Sequence, residues 1–139
     1  MRDIMDRVHV AAAFAPKAAV TDNTAQVSSV ADLKGYGSCM LAYILGTNAD
    51  TDMTYTLLIE DSDDNSSFAA VDDAYLNGTE VLGSADFGDD GEPRKIGYTG
   101  IKRYVRATIT PANNTGNVFI GGVWVLGHPN RQPTANPPI

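Results

Sequence analysis

Cysteine occurs once, at Cys39. No internal disulfide can staple the chain, and within its apolar segment the residue reads as small core filler rather than a reactive thiol. Long apolar runs are also missing: nothing approaches the ~20 residues of a membrane span. The first twenty residues are broken by early charges and then by Pro16 and Lys17, so they lack the pattern of a signal peptide. The expectation is a soluble, cytoplasmically made protein with no membrane partner. Histidine is scarce. His9 and His128 lie near opposite ends, and neither falls in a nucleophile or metal motif such as Gly-x-Ser-x-Gly or His-Glu-x-x-His. His128, before Pro129 at a strand exit, reads as structural or exposed. Carboxylates abound, but abundance does not place two of them across a cleft as a glycosidase needs. No catalytic residue and no cofactor are assigned.

Basic residues are absent from one long interval. Between Asp50 and Glu92 there are thirteen acids and no lysine or arginine, whereas Arg94, Lys95, Lys102, Arg103 and Arg106 follow with no acid among them. The net charge of −7 disfavours nucleic acid as a partner of the whole protein, because phosphate contacts supply most of that affinity. Lys102, Arg103, Tyr104 and Arg106 interleave charge with an aromatic ring, a pattern suited to single-stranded nucleic acid, but the surrounding acid opposes it. The polarity suits contact between protein chains, and those five basic residues are the first interface candidates.

At 139 residues the chain fits one domain, able to bury roughly two-thirds of its unfolded surface. Residues 94–111 organise the rest. From Ile101 the chain alternates, with Ile101, Arg103, Val105, Ala107 and Ile109 on one side, the period of a strand. Pro111 is expected to end that strand, and Thr99-Gly100 to make a tight turn before it, glycine tolerating a positive φ. Arg103 on the apolar side has to reach an edge, a carboxylate or another chain.

Further strands are expected at 26–33, 38–45, 53–60, 68–71, 79–87 and 117–126, with residues 74–76 as a turn of helix. Segments 38–45 and 53–60 read as a hairpin. Residues 1–20 form an N-terminal arm or edge strand through Val8, Val10 and Phe14, 21–127 the β domain, and 128–139 a proline-rich extended tail. Seven or eight short strands without a long helix predict a mainly β protein: a single antiparallel sandwich or barrel, jelly-roll-like, with extended termini. Within the tail, Arg131, Pro137, Pro138 and Ile139 are further interface candidates. Eleven residues of stiff chain span about 30 Å, enough for the terminal isoleucine to reach a neighbouring subunit.

Two chemistries are weighed against plainer roles. Asp61, Asp63, Asn65 and Asp72 have the oxygen-ligand spacing of a calcium loop, but Ser66 stands where the sharp turn wants glycine and flanking helices are absent. A solvated acidic turn is the better account. Trp124 reads as a core residue rather than a ligand-stacking ring.

The run Gly97-Tyr98-Thr99-Gly100-Ile101-Lys102-Arg103-Tyr104-Val105-Arg106, with the closing Val125-Leu126-Gly127-His128-Pro129, resembles a family of small structural proteins of tailed bacteriophages and prophages, capsid decoration (cement) proteins being the nearest role. The resemblance extends from about Asp3 to His128. It implies a non-enzymatic virion component, made in the host bacterial cytoplasm, that binds the major capsid protein on the outside of the assembled head. A homo-oligomer, a trimer on the capsid, is a further expectation. The alternatives are a tail or head-tail connector protein, and a carbohydrate-binding β-sandwich for attachment to the host surface, in which Trp124 and the tyrosines would be exposed.

Overall fold

Strands form where apolar residues recur at every second position, and the burial alternates with them. Residues 3–138 are described by a computed structural model. Its strands are β1 (His9–Phe14), β2 (Gln26–Val27), β3 (Ala31–Asp32), β4 (Tyr36–Leu45), β5 (Thr54–Ser62), β6 (Ala69–Ala70), β7 (Leu76–Asn77), β8 (Ala85–Asp86), β9 (Pro93–Tyr98), β10 (Tyr104–Ala112) and β11 (Ile120–Pro129). One sheet has the order β1-β11-β4-β9-β7; the other runs β2-β10-β5-β6, with β3 also on β10 and β8 also on β5. Every pairing is antiparallel. From β4 on the long strands alternate between sheets along the chain, giving the antiparallel β-sandwich of jelly-roll type. No described helix is long and apolar enough to cross a membrane.

Between the sheets lie Leu41, Tyr43 and Leu45 of β4, Tyr55, Leu57 and Ile59 of β5, Ile96 and Tyr98 of β9, Val105, Ala107 and Ile109 of β10, and Trp124 and Leu126 of β11, all buried. Cys39 belongs to this layer, and desolvation pushes its thiol up to about 12. Trp124 is 1% exposed, a core residue as expected.

The alternation of 105–109 is observed, but its neighbours differ from expectation. The strands of residues 94–111 do not form a hairpin: β9 belongs to one sheet and β10 to the other, so the turn between them crosses the edge of the sandwich. Ile101 lies outside the strand and is 98% exposed. Gly100 is not among the positive-φ residues. A methyl group there would lie 2.3 Å from the Tyr98 hydroxyl, so close approach, not backbone freedom, requires the glycine. Pro111 lies within β10, paired with Tyr55. Because β2 stops at Ile109, one side of β10 is open there, the place where a strand tolerates proline.

Segments 38–45 and 53–60 likewise separate: β4 pairs with β11 and β9, and β5 with β10. Residues 26–33 give two short strands, and 79–87 a helical turn, α1 (Glu80–Gly83), followed by β8. Thr79 caps α1 by accepting from the Leu82 amide. On β5, the amide of Ile59 donates to Glu80 Oε1 at 2.6 Å and that of Leu57 to Ser84 Oγ at 3.0 Å. The helical turn thus satisfies β5 donors in the gap between β6 and β8.

Leu41→Ala, at a site with no exposed surface, is expected to cost about 2–5 kcal/mol. Thr56→Ala, on an outer face, should stay within about 0.5 kcal/mol. Urea unfolding measures both, and equal losses would contradict the assignment of inner and outer faces.

Candidate interaction cleft on the five-stranded sheet

The register fixes what the outer face of this sheet presents. Val10 lies opposite Val125, which lies opposite Met40, which lies opposite Gly97; in the next row Ala12, Val123, Ala42 and Lys95 align. Ile44 continues the apolar face beside Gly121. Lys95 is the only charge in these rows. The outer face of the other sheet is more polar: Thr56, Glu60, Arg106, Thr108 and Thr110, with Leu58 and Tyr104 among them, alternate with its buried residues.

At one end the apolar face deepens into a cleft of about 760 Å³, whose lining includes Met40, Val125, Arg7, Lys95, His128 and Gln132. Among the described residues no aspartate or glutamate lines it. His128 lies in β11 opposite Gly37, between the pairs Gly127–Ser38 and Pro129–Tyr36. Its φ of 48° is uncommon for a residue other than glycine, and its Nδ1 lies 3.0 Å from Ser38 Oγ. A serine beside an imidazole is half of a nucleophile arrangement. No described carboxylate lines the cleft to orient the imidazole, so the pair lacks the third member of a triad.

The tail forms one side of the cleft through Gln132 and returns to its own chain. The Asn130 amide donates to Gly35 O, and the Thr134 hydroxyl to Val8 O at 2.6 Å and Met5 O at 3.1 Å. Arg131, Pro137 and Pro138 are exposed; Ile139 lies outside the described residues.

Four of the five clustered basic residues meet acids of the same chain. Arg94 pairs with Asp89 and Glu92, Lys102 with Asp61 at 3.0 Å, Arg103 with Asp32 and Arg106 with Glu60, both at 2.8 Å. Of the edge, carboxylate or other chain expected for it, Arg103 meets a carboxylate, that of Asp32, through two parallel bonds. Its guanidinium also lies over Tyr104, and that of Arg106 over Phe68. The basic-aromatic run is locally neutralised and is no open strip for phosphates. Lys95 has no ion-pair partner among the described residues and is exposed.

The four calcium-loop candidates do not converge. Asp61 is buried, accepting from the Tyr98 hydroxyl at 2.8 Å besides pairing with Lys102, while Asp72 caps a turn by accepting from the Ala74 amide. No group of three ligating side chains is found among the described residues. The turn is organised by Asp64, which accepts from Ser62 Oγ and from the Ser66 and Ser67 amides. The apolar outer face and the acid-free cleft escaped sequence reasoning. The alternation of Ser38, Met40, Ala42 and Ile44 within an apolar segment was the one signal, hidden because both faces of β4 are apolar.

Fold and face together define an antiparallel β-sandwich with one apolar, recessed outer surface. No family model and no curated relative match the chain. Similar solved structures include a xylan-binding domain of Paenibacillus barcinonensis Xyn10C (8% identity, TM-score 0.44, covering 92% of this chain and 94% of that one). A family 22 carbohydrate-binding module of Clostridium thermocellum Xyn10B is another (7%, 0.44, 90% and 96%). In a longer Clostridium thermocellum xylanase chain solved with xylohexaose (12%, TM-score 0.42), the match covers 95% of this chain and spans 28% of that one. Likeness at this level carries no ligand over to the present chain.

Acid should destabilise the domain. Hydrogen bonds hold several carboxyls below their usual range: from Arg103 to Asp32, from the Thr115 amide to Asp50, from the Ser67 amide to Asp64 and from the Asp86 amide to Asp89. A group with a lowered folded pKa contributes stability above its unfolded value, near 3.9, and loses it as pH falls through the folded one. The melting temperature should therefore be level above about pH 5 and drop below it. Asp50→Asn should melt lower at pH 7 and show a shallower acid drop; parallel curves for variant and wild type would refute this assignment.

Proposed function

We propose that the chain is a non-enzymatic structural protein of a tailed-phage virion, a decoration protein that docks on the outside of the assembled head. One observation carries the docking part: the outer face of the five-stranded sheet presents Val10, Ala12, Met40, Ala42, Ile44, Val123 and Val125 with the single charge of Lys95. Contiguous apolar surface of this kind marks an interaction site. The aromatic residues point the same way. The strands of this sheet hold Trp124, Tyr43 and Tyr98 buried, while the exposed rings of Tyr75, Phe87 and Phe119 lie outside them, which favours a protein surface over a sugar as the partner of this face. The resemblance of residues 97–106 and 125–129 to phage structural proteins supplies the particle and, with it, the major capsid protein as partner. A ligand that engages only the assembled lattice stabilises that lattice by linkage.

Carbohydrate binding is the second reading, favoured by the recessed cleft. Against it, the ring in the cleft wall, Tyr98, is buried, and a sugar-stacking platform needs an exposed ring face. Docking predicts that Met40→Asp or Val123→Asp abolishes binding to isolated heads while shifting the melting temperature by only a few degrees. Sedimentation with heads and with insoluble plant and bacterial polysaccharides separates the two readings. Retention on a polysaccharide but not on heads would overturn the virion assignment.

A further inference from the structure

We propose that the cleft at the end of the five-stranded sheet receives an extended acidic segment of the partner protein, one whose aliphatic side chains alternate with aspartate or glutamate. This deepens the docking face just described and rests on it, but not on the identity of the particle.

Charge complementarity carries the choice of occupant. The chain has 17 acids against 10 lysines and arginines, yet the cleft gathers Arg7, Lys95 and His128 and no described acid. Elsewhere the arginines and lysines of residues 94–106 are quenched by Asp32, Asp61, Asp89, Glu60 and Glu92. Lys95, in the same run, is excepted and stands over the cleft. A second copy of this chain would on average bring excess negative charge too, but the long strands of its own sheets are already paired and its acidic turns are bonded internally, as at Asp64.

Shape supports an extended occupant. The floor is the pleated surface around Met40, Gly97, Val125 and Gly127, where two of the four positions carry no side chain. A methyl group on Gly127 would stand 2.6 Å from Ser38 Oγ, and one on Gly97 would stand 3.0 Å from the Asn77 Cβ, so neighbouring side chains already pack against both glycines and a larger residue at either would have to displace them. His128, held at φ 48°, keeps its imidazole at the rim rather than in the core. Apolar residues of the incoming segment would face the floor at every second position, and its carboxylates the rim cations.

The probe is a fluorescein-labelled peptide alternating glutamate with valine and leucine, compared with a counterpart in which lysine replaces each glutamate. With the full-length protein at low salt, fluorescence anisotropy is expected to show the acidic peptide binding about tenfold more tightly, the size of two or three exposed ion pairs. The preference should shrink towards unity at 0.5 M salt. It should vanish in Arg7→Glu/Lys95→Glu, whose fold is verified by its melting temperature. Amide shifts on peptide addition should centre on Met40, Gly97, Val125 and His128. Equal binding of both peptides, a preference that survives the double substitution, or shifts centred elsewhere would overturn the proposal. So would self-association that the same double substitution abolishes, or a neutral oligosaccharide that shifts the same amides more strongly than the peptide. Heads that bind the wild type and Arg7→Glu/Lys95→Glu equally well would sink the cleft inference while leaving the docking role intact. Peptide preference without any binding to heads would do the reverse.

Discussion

The indole nitrogen of Trp124, in the middle of β11, donates across the sandwich to the carbonyl oxygen of Ser29 at 2.9 Å. That residue also donates its amide to Ala13 O, at the point where β1 slips register. Next to it, Ser28 exchanges bonds with Ala107 of β10, through both its amide and its hydroxyl. The short link between β2 and β3 therefore binds both sheets at once and satisfies the polar end of the largest core side chain. Burial of an unpaired indole N–H would cost on the order of 1–3 kcal/mol. The position of that link is what allows the tryptophan to fill the layer between the sheets.

Once the sheets are clamped in this way, the alternation of each strand distributes the remaining residues between two unlike outer faces. β10 and β5 turn threonines, Glu60 and Arg106 to water. β11 and β4 turn small and aliphatic residues outward, with the tail and α1 standing at the margins. The tail contributes by bonding to the first turn of its own chain through Thr134, which places Gln132 and His128 beside Arg7. An acid-free recess in an acidic molecule results from how the chain is folded back on itself, not from any local cluster of sequence.

The charge polarity along the chain has a related origin. Three of the five basic residues of 94–106, Arg94, Lys102 and Arg106, meet acids of 50–92 as ion pairs because they come from neighbouring strands and turns, while Arg103 meets Asp32 instead. Lys102 reaches the buried Asp61, whose second oxygen is held by Tyr98; burial, and then that carboxylate, keeps the Tyr98 hydroxyl protonated by raising its pKa. The exposed pairs contribute little each. Lys102 and Arg103 pair within the crossing between β9 and β10, while Lys95, on the face of β9 opposite Arg94, has no ion-pair partner among the described residues.

The sequence by itself determined the class of fold, because a period of two in Val105, Ala107 and Ile109 and in Tyr55, Leu57 and Ile59 leaves a chain without long helices no way to bury those residues except between sheets. It also pointed to the burial of Cys39 and Trp124 and to the need of Arg103 for an edge, a carboxylate or another chain, of which the fold supplies the carboxylate of Asp32. Strand partners were decided only by tertiary structure: adjacent segments such as 38–45 and 53–60 look like a hairpin, yet their apolar faces are better covered when the two strands lie in opposite sheets. Pro111 could stand inside a strand because β2 ends beside it, a fact of pairing that no local pattern contains. The cleft was likewise invisible, since it joins Arg7, Met40, Lys95 and His128 from four distant parts of the chain, and only the register that aligns those strands brings the cations together over an apolar floor.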